Sequence, residues 1–168
     1  MGRIVRIIDK LAAPRYNAMR KEYMAMSIGG TEGKSMLKKG TIVYTAFSEY
    51  MIDRQISQGG NGTVFLVHDK ANNKYALKAI DRNKTSTEKL KRFKNEIHFC
   101  ENTDDPNVIK VLDHGTHSVD DKNLVFYLMP AYDQTLRGLM SNGINSNIVL
   151  PIITQILSGL LFAHKMGV

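Results

Sequence analysis

Cysteine is scarce: Cys100 stands alone among 168 residues, which excludes a disulfide framework and predicts a reducing, cytoplasmic setting. Paired metal ligands are lacking too. His98, His114 and His117 fall with Cys100 across an expected helix, turn and loop, without the spacing a zinc site requires, so no metal centre is predicted. No unbroken apolar stretch approaches the roughly 18–20 residues that cross a bilayer. Charges interrupt every candidate signal-peptide core, and Arg6 stands where a myristoylation signal after Gly2 needs Ser or Thr. What remains is 43% hydrophobic and 23% charged, the balance of a soluble folded chain and not of a disordered one.

Acidic residues are few at one end. Residues 1–40 carry nine Lys/Arg against three acids, whereas residues 41–168 carry fourteen against thirteen. The formal charge of +7 therefore belongs to an N-terminal extension, and the domain behind it predicts no nucleic-acid partner. Ile4, Val5, Ile7, Ile8 and Leu11 sit among Arg3, Arg6 and Lys10 as a short amphipathic helix ending near Pro14, and a second helical stretch covers 15–27. Two readings stay open for residues 1–27: a tail folded onto its own domain, or a helix pair that meets an anionic membrane or a partner. A third, nucleic-acid binding through the basic tail, predicts steep loss of binding with salt. Ile28 to Ser35 ends in Gly-Lys-Ser like a P-loop, but Ile28 replaces its first glycine and no strand precedes it, so Gly29 and Gly30 read as linker.

From Tyr50 the pattern changes to period two. Tyr50 to Ile56 alternates, turns through glycines into Val64 to Val67, and a third strand follows at Lys74 to Ile80. Thr85 and Glu88 stand at capping-box spacing before a helix with Leu90, Phe93, Ile97 and Cys100 at helical intervals. Val108 to Asp113 and Leu124 to Met129 read as two more strands, joined by a polar loop at 120–123. Helices at Thr135 to Met140 and Asn147 to Lys165 complete the pattern, the second with Ile152, Ile153, Ile156, Leu157, Leu160 and Leu161 on a broad apolar face. The expected fold is α+β: a five-stranded antiparallel sheet with one inserted helix, then two further helices.

Two features in this frame carry chemistry. Ile56-Ser57-Gln58-Gly59-Gly60-Asn61-Gly62-Thr63-Val64 allows a hairpin backbone to approach phosphates, because glycines lack Cβ. Lys78, in Tyr75-Ala76-Leu77-Lys78, lies on the next strand to neutralise them. Together they predict a grip for a nucleoside triphosphate. Glu96 is the best-placed helix carboxylate for Lys78, since Glu88 reads as a cap and Glu101 lies at a fraying end.

This order of strand, glycine turn, lysine strand, glutamate helix, two strands and helices resembles the N-terminal lobe of a eukaryotic-type protein kinase, from about Tyr50 to Val168. Gly59, Gly62 and Val64 match the family's glycine motif, with Ser57 for its first glycine and Asn61 for the aromatic often at its tip. Tyr75 to Lys78 is similar to V-A-I-K, and Asp105-Pro106-Asn107-Val108 to the family's H-P-N-[IV] turn with Asp for His. The resemblance implies that Lys78 contacts the α- and β-phosphates of ATP and pairs with Glu96, the helix then having a regulatory role. It also implies Met129 as gatekeeper, Pro130-Ala131-Tyr132 as a hinge on the adenine edge, and Ile56, Val64 and Ala76 as apolar cover for the ring. The ATP-binding set is thus Ile56 through Val64 with Ala76, Lys78, Glu96, Met129, Pro130 and Tyr132.

By the same resemblance the chain divides into a basic extension (1–45), an N-lobe (46–129), and a hinge with the first two helices of a truncated C-lobe (130–168). Gly159 to Val168 resembles the helix that leads into the catalytic loop; H-R-D and the magnesium-binding asparagine and D-F-G aspartate are not in the sequence. The expectation is therefore the ATP-binding part of a protein kinase, with no catalytic residue of its own and Mg²⁺ bound only with the missing lobe. Its hinge, with Thr135-Leu136-Arg137, is similar to those of serine/threonine kinases, so a full-length form would transfer the γ-phosphate to protein hydroxyls. The alternative is a truncated pseudokinase that binds a nucleotide or a protein without catalysis, and a small-molecule kinase of similar fold is a further reading. Burial favours a fragment. Six large aliphatics on the last helix, at roughly 1.5–3 kcal/mol each, would forgo on the order of 10 kcal/mol, which rivals the ~5–15 kcal/mol that holds a whole domain.

Overall fold

Alternation along the strands decides which side of the sheet is covered. In a computed structural model that describes residues 35–168, six strands lie antiparallel in the order β1-β2-β3-β4-β6-β5. They are β1 (Ile42–Tyr44), β2 (Glu49–Gly59), β3 (Gly62–His68), β4 (Lys74–Asp81), β5 (Asp113–Val119) and β6 (Lys122–Pro130). The helix pair, the linker and the P-loop-like stretch read before residue 35 lie outside the described residues.

Phe65 and Val67 on β3, Leu77 and Ala79 on β4, and Leu124, Phe126 and Leu128 on β6 all point to one face, where they join Val43, Tyr50, Ile52 and Leu37 in a single buried cluster. The sheet curls around this cluster until its two edges approach. The Thr45 hydroxyl, just past β1, donates to the Asp113 carboxylate at the start of β5. At Gly115, a Cβ would lie 3.1 Å from the Tyr44 carbonyl oxygen and 2.9 Å from the Phe126 ring, so this closure leaves room for glycine there. Curling edge towards edge covers ladder groups that an open sheet would leave bare.

The reverse face is partly covered by helix α1 (Thr87–Glu101), which buries Phe93, Ile97 and Cys100 at spacings of four and three. A 3₁₀ turn at Arg82–Lys84 connects β4 to it. These elements, residues 35–104 with 109–133, form one compact unit.

Three expectations change. The sheet has six strands and not five, because Ile42–Tyr44, placed by the sequence reading in the extension, pairs with Tyr50 and its neighbours on β2. Three residues are too few to show a period. Val108 to Asp113 is not a strand: the Val111 N–H donates to the Cys100 carbonyl at the end of α1 (3.3 Å), and the Val111 side chain is buried. The ladder begins at Asp113, in a polar segment (Asp-His-Gly-Thr-His-Ser-Val) whose backbone, not its composition, makes it an edge strand. The helix cap is Ser86 in place of Thr85, with its hydroxyl accepting from the Lys89 N–H. Glu88 still serves the cap, since hydrogen bonds from its own backbone N–H and from Ser86 hold its carboxyl below the usual range.

A second unit comprises, among the described residues, 105–108 and 134–168. Here α2 (Leu136–Ser141) is capped by Thr135, which accepts from the Gly138 N–H, and α3 (Ser146–Lys165) by Asn145, which accepts from the Asn147 N–H. Pro151 sits one residue beyond the first turn and a half, so its missing N–H removes one helical bond without ending α3. Gly159 lets the Asn107 backbone approach, where a Cβ would come within 2.9 Å of its carbonyl oxygen. Ile148 and Ile152 are buried, whereas Leu150, Ile153, Ile156, Leu157, Leu160 and Leu161 are exposed. With 20 residues, 18 of them in a stretch of mean hydropathy 1.7, α3 is long and apolar enough to cross a membrane by length and composition, although polar residues interrupt its apolar run.

The closed core makes a sharp stability prediction. Phe126→Ala should lower unfolding free energy by about 3–5 kcal/mol, whereas Phe47→Ala, at the tip of an exposed turn, should change it by less than about 0.5 kcal/mol. Urea denaturation of the two variants checks the contrast, and similar losses would refute the placement of the core.

Candidate functional site

β4 lies between β3 and β6, with Val64 opposite Lys78 on one side and Tyr127 opposite Lys78 on the other. Ala76 is opposite Met129 and Tyr75 opposite Pro130. Val64, Ala76, Lys78, Tyr127 and Met129 therefore share the face that turns away from the core. Helix α1 covers the Lys78 end of that face.

Lys78 Nζ donates to both Glu96 carboxylate oxygens, at 2.7 and 2.9 Å. The lysine side chain is only 16% exposed, with its ammonium 5.6 Å from the ring centroids of both Phe93 and Tyr127. Those rings lie 5.4 Å apart in a tilted pair. A charge so shielded has little water to fall back on, so removing Glu96 would leave it uncompensated at a cost of about 1–3 kcal/mol. The Tyr127 hydroxyl donates to Glu96 Oε1 at 2.8 Å. Burial first, and then the adjoining Glu96 carboxylate, push the Tyr127 phenol far above its ordinary value, so it is a proton donor at any pH the fold survives. Cys100 completes the surroundings as an inert thiol, raised mainly by burial and further by Glu96.

The glycine turn lies where β2 meets β3. Gly59 pairs with Gly62, which leaves Gly60 and Asn61 as a two-residue turn. Gly62 has φ +123°, and a Cβ there would lie 2.8 Å from the Ala79 carbonyl oxygen, so no other residue fits without a shift. At Gly59 and Gly60 a Cβ would meet nothing within 4 Å. The space over the turn is open, and their lack of side chains is not required by the fold. β2 slips register twice before the turn, at Asp53 and at Ile56. Such bulges re-aim a strand. The first is fastened by Asp53, whose carboxylate meets His68 Nδ1 at 2.7 Å. The second leaves Ile56 half-exposed.

The expected site residues thus separate. Val64, Ala76, Lys78, Glu96 and Met129 are brought to one face or to the helix over it, and Pro130 follows Met129 at the end of β6. Ser57, Gln58 and Gly59 form the exposed end of β2, and Gly60 and Asn61 the turn that leads to Gly62. Thr63 does not join them: it is buried on the core face with Phe65, so only its backbone could serve a ligand. Tyr132 is partly exposed, with its phenol raised by burial. Tyr127 and Phe93, which wall in the lysine, are absent from the expected set. The signal for Tyr127 was its count along β6, two residues before Met129 and level with Lys78; read by composition alone, it is one more core aromatic.

Comparison with known proteins agrees with this arrangement. The protein kinase domain family model matches residues 50–168. A serine/threonine-protein kinase of Myxococcus xanthus is 31% identical over 132 residues, 76% of this chain and 23% of that protein. An Aurora kinase of Candida glabrata is 30% identical over 139 residues, 79% of this chain and 38% of that protein. A probable serine/threonine-protein kinase of Dictyostelium discoideum is 35% identical over 98 residues, 56% of this chain and 26% of that protein. A curled antiparallel sheet with a helix-borne glutamate clasping a strand lysine is thus matched by sequence, and the chain belongs to the protein kinase domain family. It spans between about a quarter and two fifths of the length of these curated relatives.

The turn's geometry separates its glycines. Gly62→Ala should destabilise by about 1–3 kcal/mol because positive φ and a backbone oxygen both oppose it. Gly59→Ala and Gly60→Ala should each stay within about 0.5 kcal/mol. Thermal unfolding of the three variants decides; equal shifts would show that the turn is not built as described.

Proposed function

We propose that residues 50–168 form the ATP-gripping part of a protein kinase of the serine/threonine type, which moves the γ-phosphate of ATP to protein hydroxyls in its full-length form. The observation that carries this reading is the Lys78–Glu96 pair, set on the same sheet face as the apolar patch of Val64, Ala76 and Met129 and on the strand beside β3, which leads out of the glycine turn. An ammonium has three N–H donors. Two point to Glu96, which leaves one for a phosphate oxygen. The open space above Gly59 and Gly60 leaves their backbone accessible to the same phosphates. Val64, Ala76 and Ile56 offer the flat apolar contact that an adenine ring requires, with backbone groups at Pro130 to Tyr132 for its edge. The serine/threonine preference rests on the names of the relatives and on the hinge sequence.

Phosphoryl transfer also calls for Mg²⁺, which would neutralise the charge developing on the phosphates. Within this site Glu96 is already engaged by Lys78 and Tyr127, so this carboxylate is not assigned to the metal. The single free cysteine supports a reducing, cytoplasmic setting. The proposed division is a basic extension, an N-lobe that includes β1, and a hinge with the first C-lobe helices.

Titration with a fluorescent ATP analogue tests the grip. Lys78→Met should weaken binding at least tenfold while leaving thermal unfolding within a few degrees of the parent; equal affinity would overturn the site. In a protein extended beyond Val168, the same substitution should cut turnover by orders of magnitude. Nucleotide binding with no turnover in the unsubstituted extended protein would instead mark the pseudokinase alternative.

A further inference from the structure

Glu96 accepts from two directions at once. Lys78 takes both of its oxygens, and the Tyr127 hydroxyl donates to Oε1, the oxygen that makes the shorter bond to Lys78. Helix and sheet are therefore joined by two separate bonds through one carboxylate: an ion pair to β4, and a hydrogen bond from the uncharged phenol on β6. The Phe93–Tyr127 ring contact adds a third tie, also between α1 and β6.

The two bonds differ in what a nucleotide would do to them. A phosphate oxygen would take the ammonium's remaining donor and so draw Lys78 away from Glu96. It has no claim on Tyr127, which is buried to 2% exposure beneath α1. When the lysine is drawn towards phosphate, the phenol still holds Glu96 Oε1 in place. Without that hydroxyl the carboxylate would be fixed by Lys78 alone and, at 38% exposure, would be free to turn to water. Tyr127 also lies two residues before Met129 on the same face of β6. The strand that carries the proposed adenine-side residues thus also carries the bond that fixes the helix.

We infer that Tyr127 is a positioning residue that locks Glu96 towards Lys78, so that the helix α1 position and nucleotide binding are coupled through strand β6. This rests on the nucleotide reading of the site. No part of it requires Tyr127 to touch the ligand.

The test uses the full chain in four forms: the parent, Tyr127→Phe, Glu96→Gln, and the double substitution. Phenylalanine preserves the ring against Phe93 and removes one oxygen, so the melting temperature monitors folding separately. Two readouts are taken. The first is the labelling rate of Lys78 by an amine-acylating reagent, followed by mass spectrometry without nucleotide. A lysine whose carboxylate partner leaves part of the time reacts faster, so Tyr127→Phe should raise the rate about three- to tenfold and should have no further effect in the Glu96→Gln background. The second is affinity for the fluorescent ATP analogue, which Tyr127→Phe should weaken by a similar factor, again only where Glu96 is present. An unchanged Lys78 labelling rate in Tyr127→Phe would overturn the inference, as would an equal change with and without Glu96, which is the mark of a merely structural ring. If the parent fails to bind the analogue while the labelling cycle still shows coupling, the lock stands and the nucleotide reading falls; the two failures are therefore distinct.

Discussion

Leu77 and Lys78 are neighbours on one strand, and the whole arrangement depends on their pointing in opposite directions. Leu77 is fully buried with Phe65, Phe126 and Leu128, while Lys78 meets Glu96 and Tyr127 on the reverse face. Because side chains alternate with period two, fixing one fixes the other. A slip of one residue in β4 would place an ammonium in the core and a leucine against a carboxylate. The burial of large side chains on the opposite face, at roughly 1.5–3 kcal/mol each, is thus what holds the lysine's register. The same logic runs through β6, where Phe126 and Leu128 secure the register that sets Tyr127 opposite Lys78.

That dependence explains which parts of the molecule were legible. Lys78 and Glu96 could be paired from sequence because a strand lysine and a helix carboxylate eighteen residues on are marked by a motif on one side and a helical period on the other. The glycine turn was legible for a steric reason at Gly62, where φ and the Ala79 oxygen demand glycine, and for a different reason at Gly59 and Gly60, where the fold makes no such demand. Thr63 shows the limit of reading a motif as a continuous stretch. Period two sends every second residue of it to the other face, and Thr63 is one of these.

The misplaced elements share a physical cause. Ile42–Tyr44 and Asp113–Val119 are the two edge strands, and each is half covered, so hydrophobic alternation is weakest there. Their pairing is decided by backbone hydrogen bonds and by contact between the edges, through Thr45 with Asp113 and Gly115 beside the Tyr44 carbonyl. None of these leaves a local signature. Conversely, the apolar run after Pro106 looked like a strand because Val111 is buried, but its backbone is engaged by the end of a helix. Burial and ladder membership are separate properties, and sequence patterns report chiefly the first.

Helix α3 carries the same distinction further. By length and hydropathy it could cross a bilayer, and six of its large aliphatic side chains lie exposed among the described residues. Yet Gly159 and the Asn107 backbone meet closely on one side, and the protein kinase domain match runs through the whole helix. A lipid-facing helix needs no glycine to admit a polar backbone, since hydrocarbon would leave that carbonyl unsatisfied. The exposed aliphatics are therefore better explained by protein surface than by lipid.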